Sequence, residues 1–425
     1  MRFLILTQYF RPEIGAPQTR LDAMARELVS RGHEVEVVTG LPNYPAGRIL
    51  PGYERCFYRC EQDDGIRIHR VWLYASVGAG FKRLLNYLSF SASCLVGLLK
   101  SNKPDYLFIE SPPLFLGVPG LTLARIWGVP GIFNVSDLWP DSAVAMGLMK
   151  DGLLIRIATH LERWAYRRAM YVTTVTESVR DVLISQKGLC SDRVLLFPNG
   201  VDLQQFQPQS PDLELKRSLG LDGKKIILYQ GTMGFIHGIG AVLQTAALLQ
   251  TDTDVHFLFV GAGSQRRALD ALKSELNLAN VTFLDPVPIP ELALFLSIAE
   301  CGLISHKDNA VSRGARPAKT NPIFASGKPA IVFGGGEGAD LVRSARAGRV
   351  VPHGDIHGLA EAIRQIVRDP DLAAEFGRNG RRYAEQHLSW SAIVGEWLRQ
   401  LEQRPSSSSE ANHHMFTRAR ESRPV

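Results

Sequence analysis

Short apolar runs alternate with helix-periodic stretches from the start of the chain. RFLILTQYF (2–10) is a continuous apolar run of strand length, and 17–31 repeats apolar residues at helical spacing until Gly32 closes it. VEVVTG, YLFIE, GIFNVSD, YVTTVT and RVLLFPN follow, each short and β-rich, with helical sequence between them. Strands apolar on both faces and separated by helices predict a parallel sheet covered on both sides. This is one doubly wound α/β domain, ending near Asn199. Residues 200–224 are polar, carry Gln204, Gln205, Gln207, Pro208 and Pro211, and read as a linker. The alternation resumes with KKIILYQGT, VHFLFVG, VTFLDPV, CGLISH, PAIVFGGG and GRVVPHGD, which predicts a second doubly wound domain. Two last helical stretches follow with no strand between them. The expected division is 1–200, 201–385, a terminal helix over 386–403, and a polar tail over 404–425 too poor in apolar residues to fold. His413 and His414 fall in that tail and read as solvated.

Composition supports this picture. The 425 residues are 45% hydrophobic and 21% charged, which is globular. A net charge of +6 is modest for this length and gives no sign of a nucleic-acid partner. The five cysteines are scattered without a zinc pattern, so reduced thiols in a cytoplasmic protein are expected. The N-terminal run lacks a small-residue cleavage site and reads as a first strand, not an export signal. Phe81–Lys100 stands out: its middle is apolar or small, and Lys82, Arg83 and Lys100 bracket it. It is interrupted by Asn86 and three serines and is short for a membrane span. It can cover a sheet, touch a membrane surface with its basic ends at the headgroups, or do both.

The candidate chemistry lies in the loops after the strands, where open α/β sheets bind ligands. RPEIGAPQTR lacks the dinucleotide fingerprint, which disfavours a nicotinamide oxidoreductase. Gly15 is either a plain turn or a point of close ligand approach ahead of a helix N-terminus. GTMGFIHGIG (231–240), with Gly231, Thr232, Gly234 and His237, has the form of an anion cradle leading into a helix. Arg313, Arg316 and Lys319 crowd one loop before a short helix; the trio is either solvated or, the favoured reading, set to neutralise a leaving diphosphate. FGGGEGAD then adds Gly336, with Glu337 and Asp340 in a first helical turn. These are ordinary dipole partners or acceptors for ribose hydroxyls.

PAK…FASGKPAIVFGGGEGADLV, AGRVVPHGD, PNGVD (198–202) and RGHEVEVVTG (31–40) resemble glycosyltransferase family 4 up to about Gln403. SDLWPDSAVAMG (136–147) is similar to the fucosamine transferase-like branch of surface-polysaccharide synthesis. The resemblance implies the GT-B architecture, two Rossmann-like domains around a cleft, with the last helix crossing back to the first. It also implies retaining transfer without metal or cofactor, from a UDP-sugar to a glycan or polyprenyl-linked acceptor. By the same resemblance Gly15 matches the N-terminal glycine loop, Asp340 the ribose-binding acid, and Lys319 the lysine that meets the phosphates, with Ala318 where serine is usual. The family's glutamate pair falls at Gly314 and Pro322 here. Its Arg/Lys phosphate pair falls at Thr232 and His237, so that either Arg313 and Arg316 take over the charge work or the site is altered. No histidine matches the usual first-domain catalytic residue, and Asp137 is the nearest polar candidate; SDLWPDS can hold the acceptor or donor sugar near Asp137 and Asp141. Catalytic roles are accordingly expected of Asp137, Lys319 and Arg316. Two rivals fit the same loops: a nucleotide-sugar 2-epimerase, and a degenerate transferase paralogue that has lost catalysis. Trp139 in the SDLWPDS stretch can equally be a structural plug.

Overall fold

The computed structural model describes residues 1–78, 80–141, 144 and 152–404. They fall into two compact units: 1–199 with the chain from Ile393 onward, and Gly200–Ala392. The tail from 405, with His413 and His414, and most of 142–151 lie outside the described residues.

In the first unit, eight strands form one sheet: β1 (Arg2–Leu6), β2 (Glu34–Gly40), β3 (Tyr58–Asp63), β4 (Ile66–Val71), β5 (Tyr106–Ser111), β6 (Gly131–Val135), β7 (Tyr171–Thr174) and β8 (Val194–Leu196). Their order is β3-β4-β2-β1-β5-β6-β7-β8, parallel except for β3. The β3–β4 hairpin adds two strands beyond the expected set. Asp64 and Gly65 turn it with φ of 49° and 76°, the left-handed pair that a tight hairpin needs. One sheet face packs under the helices Phe81–Lys100, Gly117–Trp127, Leu153–Arg168 and Glu177–Ser185. The other lies under Ala16–Ser30 and the last helix, Trp390–Glu402. Trp397, fully buried, sits with its ring 5.5–6.0 Å from those of Phe3, Phe108 and Phe197.

The second unit has six parallel strands: β9 (Lys225–Gln230), β10 (Val255–Val260), β11 (Val281–Leu284), β12 (Ala299–Ser305), β13 (Ala330–Phe333) and β14 (Gly348–Val351), in the order β11-β10-β9-β12-β13-β14. Helices cover both faces, with Ile239–Leu248, Arg266–Glu275 and Ile356–Arg368 on one and Ile289–Ile298, Thr320–Ala325 and Glu337–Ala345 on the other. Residues 200–224 are not a free linker. Val201, Phe206 and Leu221 are buried in this unit's core, and Val201 N–H donates to the Leu388 carbonyl. A few apolar anchors fix a mostly polar segment.

Each sheet changes winding direction beside its central strand, at β1/β5 and at β9/β12. The loops beyond the carboxyl ends there are where doubly wound sheets bind ligands.

Candidate functional site

β9 ends at Gln230, and Gly231 turns the chain with φ of 113°, a conformation only glycine adopts without strain. Gly261, after β10, is packed so closely that a Cβ on it would lie 2.0 Å from the Gly231 carbonyl oxygen. The chain then makes a 3-10 turn over Phe235–His237, and Gly238 (φ 60°) opens the helix Ile239–Leu248. No side chain caps that helix, so its first N–H groups are available to an anion.

Lys319 reaches this turn from the loop before Thr320–Ala325. Its stem is partly open to solvent, but its ammonium is covered and lies 4.0 Å from the centre of the Tyr229 ring. Nζ has no hydrogen-bond partner among the described residues, and burial pulls its pKa from 10.5 down to about 7. A Cβ on Gly231 would sit 3.6 Å from Nζ, so the glycine keeps the space beside the ammonium open. Gln230 Oε1, both ring nitrogens of His306, Thr320 Oγ1 and Arg316 Nε are also buried without partners. Unpartnered buried polar atoms are costly and uncommon in folded proteins. Here they gather at the ends of β9 and β12 and in the 316–320 loop. His237 is brought to about 4, first by burial and then by the Lys319 charge, so its ring is neutral at pH 7. Burial and the same charge also lower His306.

The glycine loop after β13 lies against the basic loop. A Cβ on Gly336 (φ 76°) would lie 2.2 Å from the Arg313 carbonyl oxygen, and one on Gly338 2.6 Å from Pro317 Cδ. The three basic residues part company, however. Arg313 is exposed and held by two hydrogen bonds to Asp308, at 2.6 and 3.0 Å. Of the three, Lys319 carries the fully covered charge, and Arg316 has its Nε covered. Glu337 and Asp340 occupy the first turn of Glu337–Ala345, where Asp340 is exposed and pairs with Arg343 at 2.8 Å. Thr232 is exposed, and its carbonyl accepts from the Tyr229 hydroxyl. Gly234 starts the 3-10 turn.

The other two candidates lie on the first unit. Gly15 precedes Ala16–Ser30 with φ of 174°, an extended conformation open to any residue; a Cβ there would meet the end of the Gln18 side chain. Asp137 is exposed just beyond β6, with its carbonyl accepting from Trp139 N–H. Leu138 and Trp139 are half-buried and pack against the core, while Asp141 pairs with Lys187 at 2.7 Å. Most of 142–147 lies outside the described residues.

Behind Asp137 lies a buried network that the sequence reading missed. Arg20 donates to Glu110 and to the Ser136 hydroxyl, both at 2.6 Å, and both members of the ion pair are 2% exposed. Asn134 donates to the same carboxylate at 2.8 Å and accepts from Thr173. The signal available was a carboxylate closing an otherwise apolar strand, YLFIE, which a buried sheet tolerates only with a partner. Glu13 was missed too: its carboxylate accepts from the backbone N–H groups of Phe10, Asn43 and Tyr44. It ties the loop after β1 to the loop after β2, and burial raises its pKa to about 7.

Two family models match the chain, the glycosyl transferase 4-like domain over residues 15–200 and the glycosyl transferases group 1 domain over 212–383. An Escherichia coli K12 protein named for a colanic acid biosynthesis glycosyl transferase, WcaI, is 28% identical over 94% of this chain and 100% of its own. The GDP-mannose-dependent alpha-mannosyltransferase of Mycolicibacterium smegmatis is 25% identical, covering 94% and 96%. Among solved structures, sucrose-phosphate synthase from Thermosynechococcus elongatus aligns with a TM-score of 0.72 at 20% identity, over 95% of this chain and 99% of that one. Anabaena HepE in complex with UDP and glucose aligns at 0.69 and 18%, over 94% and 99%. Two Rossmann-like sheets, each with ligand-poised loops at its switch point and each matched by its own domain model, leave one assignment: the chain belongs to the family 4 glycosyltransferases and has the GT-B fold.

Proposed function

We propose that the chain transfers a sugar, with retention, from a UDP-sugar to a glycan or polyprenyl-linked acceptor in surface-polysaccharide biosynthesis. The reaction needs neither metal nor organic cofactor. One observation carries this: a covered ammonium without a partner, beside a glycine turn and an uncapped helix N-terminus, amid unpartnered buried polar atoms. A diphosphate supplies what each of these lacks. Its oxygens accept from Lys319, Arg316 and the N–H groups of Thr232 and Phe235, which follow Gly231 and Gly234, and so stabilise the charge that develops as the sugar departs; the Met233 N–H between them is held by the Ala262 carbonyl. Neutral His237 donates or accepts a hydrogen bond in the same notch. Glu337 and Asp340 hold ribose hydroxyls, with Asp340 first leaving Arg343, and Arg313 releases Asp308 to approach the donor. Asp137, steadied from behind by the Arg20–Glu110–Ser136 network, faces the acceptor with Gly15.

UDP as the carrier is supported by the HepE complex and surface polysaccharide as the product by the WcaI likeness. GDP-mannose is the second reading, favoured by the mannosyltransferase relative. The protein works in the cytoplasm, with Phe81–Lys100 touching the inner face of the membrane. A thermal-shift panel of UDP- and GDP-sugars tests the donor, since a bound ligand raises the midpoint by mass action. Anomeric analysis of the product tests retention. A chain that answers to no nucleotide is a degenerate scaffold, and one that converts the donor without acceptor is an epimerase.

A further inference from the structure

The helices Phe81–Lys100, Gly117–Trp127 and Leu153–Arg168 lie side by side on one face of the first sheet, the middle one contacting both others. Their inner sides are spent on the core. Their outer sides are unlike the rest of the surface.

Phe81–Lys100 buries Asn86, Phe90, Cys94 and Leu98 against the sheet but leaves Phe81, Leu85, Leu88, Leu95 and Leu99 exposed. That spacing is a single helical stripe, with Ala92 continuing it. Phe81 and Leu99 at its two ends are 72% and 71% exposed. Val118 and Ile126 extend the apolar area on the second helix, and Leu153, Leu154 and Ile157 on the third. Ten of the twenty large apolar side chains exposed among the described residues thus fall on three helices of 20, 11 and 16 residues. Scattered exposed apolar residues are ordinary, but a contiguous field of them marks an interaction surface.

The exposed charges on these three helices are of one sign; the neighbouring helix Glu177–Ser185, with exposed Glu177 and Asp181, bounds the field. Lys82, Lys100 and Arg125 are exposed on the first two helices, and Arg156, Arg163, Arg167 and Arg168 on the third. The only carboxylate in the three helices is Glu162, which is buried and held by Lys187 at 2.9 Å. A protein partner's face would meet this field with its own mixture of charges. An acidic lipid surface meets it with apolar depth under a uniformly negative layer. No described helix is long and apolar enough to cross a membrane.

We infer that these three helices together form a docking face for an anionic bilayer, apolar side chains entering the headgroup boundary and basic ones meeting lipid phosphates. This deepens the contact proposed above for Phe81–Lys100 and rests on it. It gives the partner a chemistry, acidic phospholipid, and enlarges the surface beyond one helix.

The test is co-sedimentation of the full chain with vesicles of phosphatidylcholine alone and with roughly 30 mol% phosphatidylglycerol. Binding is expected to the second only, and to weaken as salt is raised. Replacing Arg163, Arg167 and Arg168 with Gln should weaken it by about 100-fold, near fivefold per charge. Leu88→Gln with Leu95→Gln should abolish it, and both changes lie on an exposed face that leaves the fold intact. Equal binding to the two vesicles, no binding to either, or indifference to these changes overturns the inference. So does a dimer in sedimentation velocity that the leucine changes dissolve, since a second copy then covers the face. Nucleotide-sugar thermal shifts on the same variants separate the outcomes: a retained response leaves the transferase reading standing whatever the vesicles show.

Discussion

Replacing Lys319 with Met keeps the length of the side chain and removes its charge. Bringing a lysine from 10.5 to about 7 by burial corresponds to roughly 5 kcal/mol at about 1.4 kcal/mol per pH unit. That is a ceiling, because the stem is partly open to solvent and the site can admit water. A gain of about 2 kcal/mol at pH 7 is expected in the ligand-free protein, near 6 °C in the midpoint of a unit this size. The pH dependence gives the sharper check. Between about 7 and 10.5 the unfolded lysine holds a proton that the folded one has released. Wild-type stability should therefore rise with pH across that interval, and in K319M this contribution should vanish. UDP affinity should run the other way. A bound diphosphate favours the ammonium, so wild-type affinity falls as pH climbs past about 7, and K319M binds UDP roughly 30-fold more weakly with no such fall. Differential scanning fluorimetry with and without UDP, from pH 6 to about 9, reads both effects. A variant less stable than wild type that still binds UDP normally would refute the assignment of Lys319 to the phosphates.

Arg20→Gln strands Glu110 in the core, and urea unfolding should show a loss of about 3–5 kcal/mol; less than about 1 would mean that water already reaches the pair. Gly336→Ala sets a Cβ 2.2 Å from the Arg313 carbonyl oxygen at a φ of 76°; it should cost at least about 2 kcal/mol and lower donor affinity by moving the 313–319 loop. Glu13→Gln should flatten stability between pH 4.5 and 7. There the folded carboxyl, raised to about 7, keeps a proton that the unfolded one has lost, so wild-type stability declines as pH rises through that window. Trp397→Ala should destabilise the first unit by about 3–5 kcal/mol in thermal unfolding.

The parallel strands were legible because burial on both faces writes them as unbroken apolar runs. The β3–β4 hairpin was missed because YRCEQD lies at the sheet edge, mostly exposed, although Asp64-Gly65 announced its turn. Residues 200–224 were misread because three buried side chains, not the overall composition, decide where that segment goes. At the site, PAK and the glycine loops drew attention to Lys319 and Gly336. Arg313 proved to be engaged by Asp308, five residues before it, a pairing that spacing alone left open. Gln230, His306 and Thr320 are ordinary polar residues in the sequence. Their meaning appears once folding buries them without partners, a property of three dimensions.

The last helix belongs to the sheet with which the chain began, and this sets an order of events during synthesis. Phe3, Phe108 and Phe197 leave the ribosome early, yet the tryptophan that covers them follows some 200 residues after Phe197. At about 5–20 residues per second, that face stays uncovered for roughly 10–40 s while the whole second unit emerges. The nascent first half therefore needs shelter from aggregation, and a gene fragment ending at residue 199 should express poorly unless a peptide spanning 390–404 is supplied beside it.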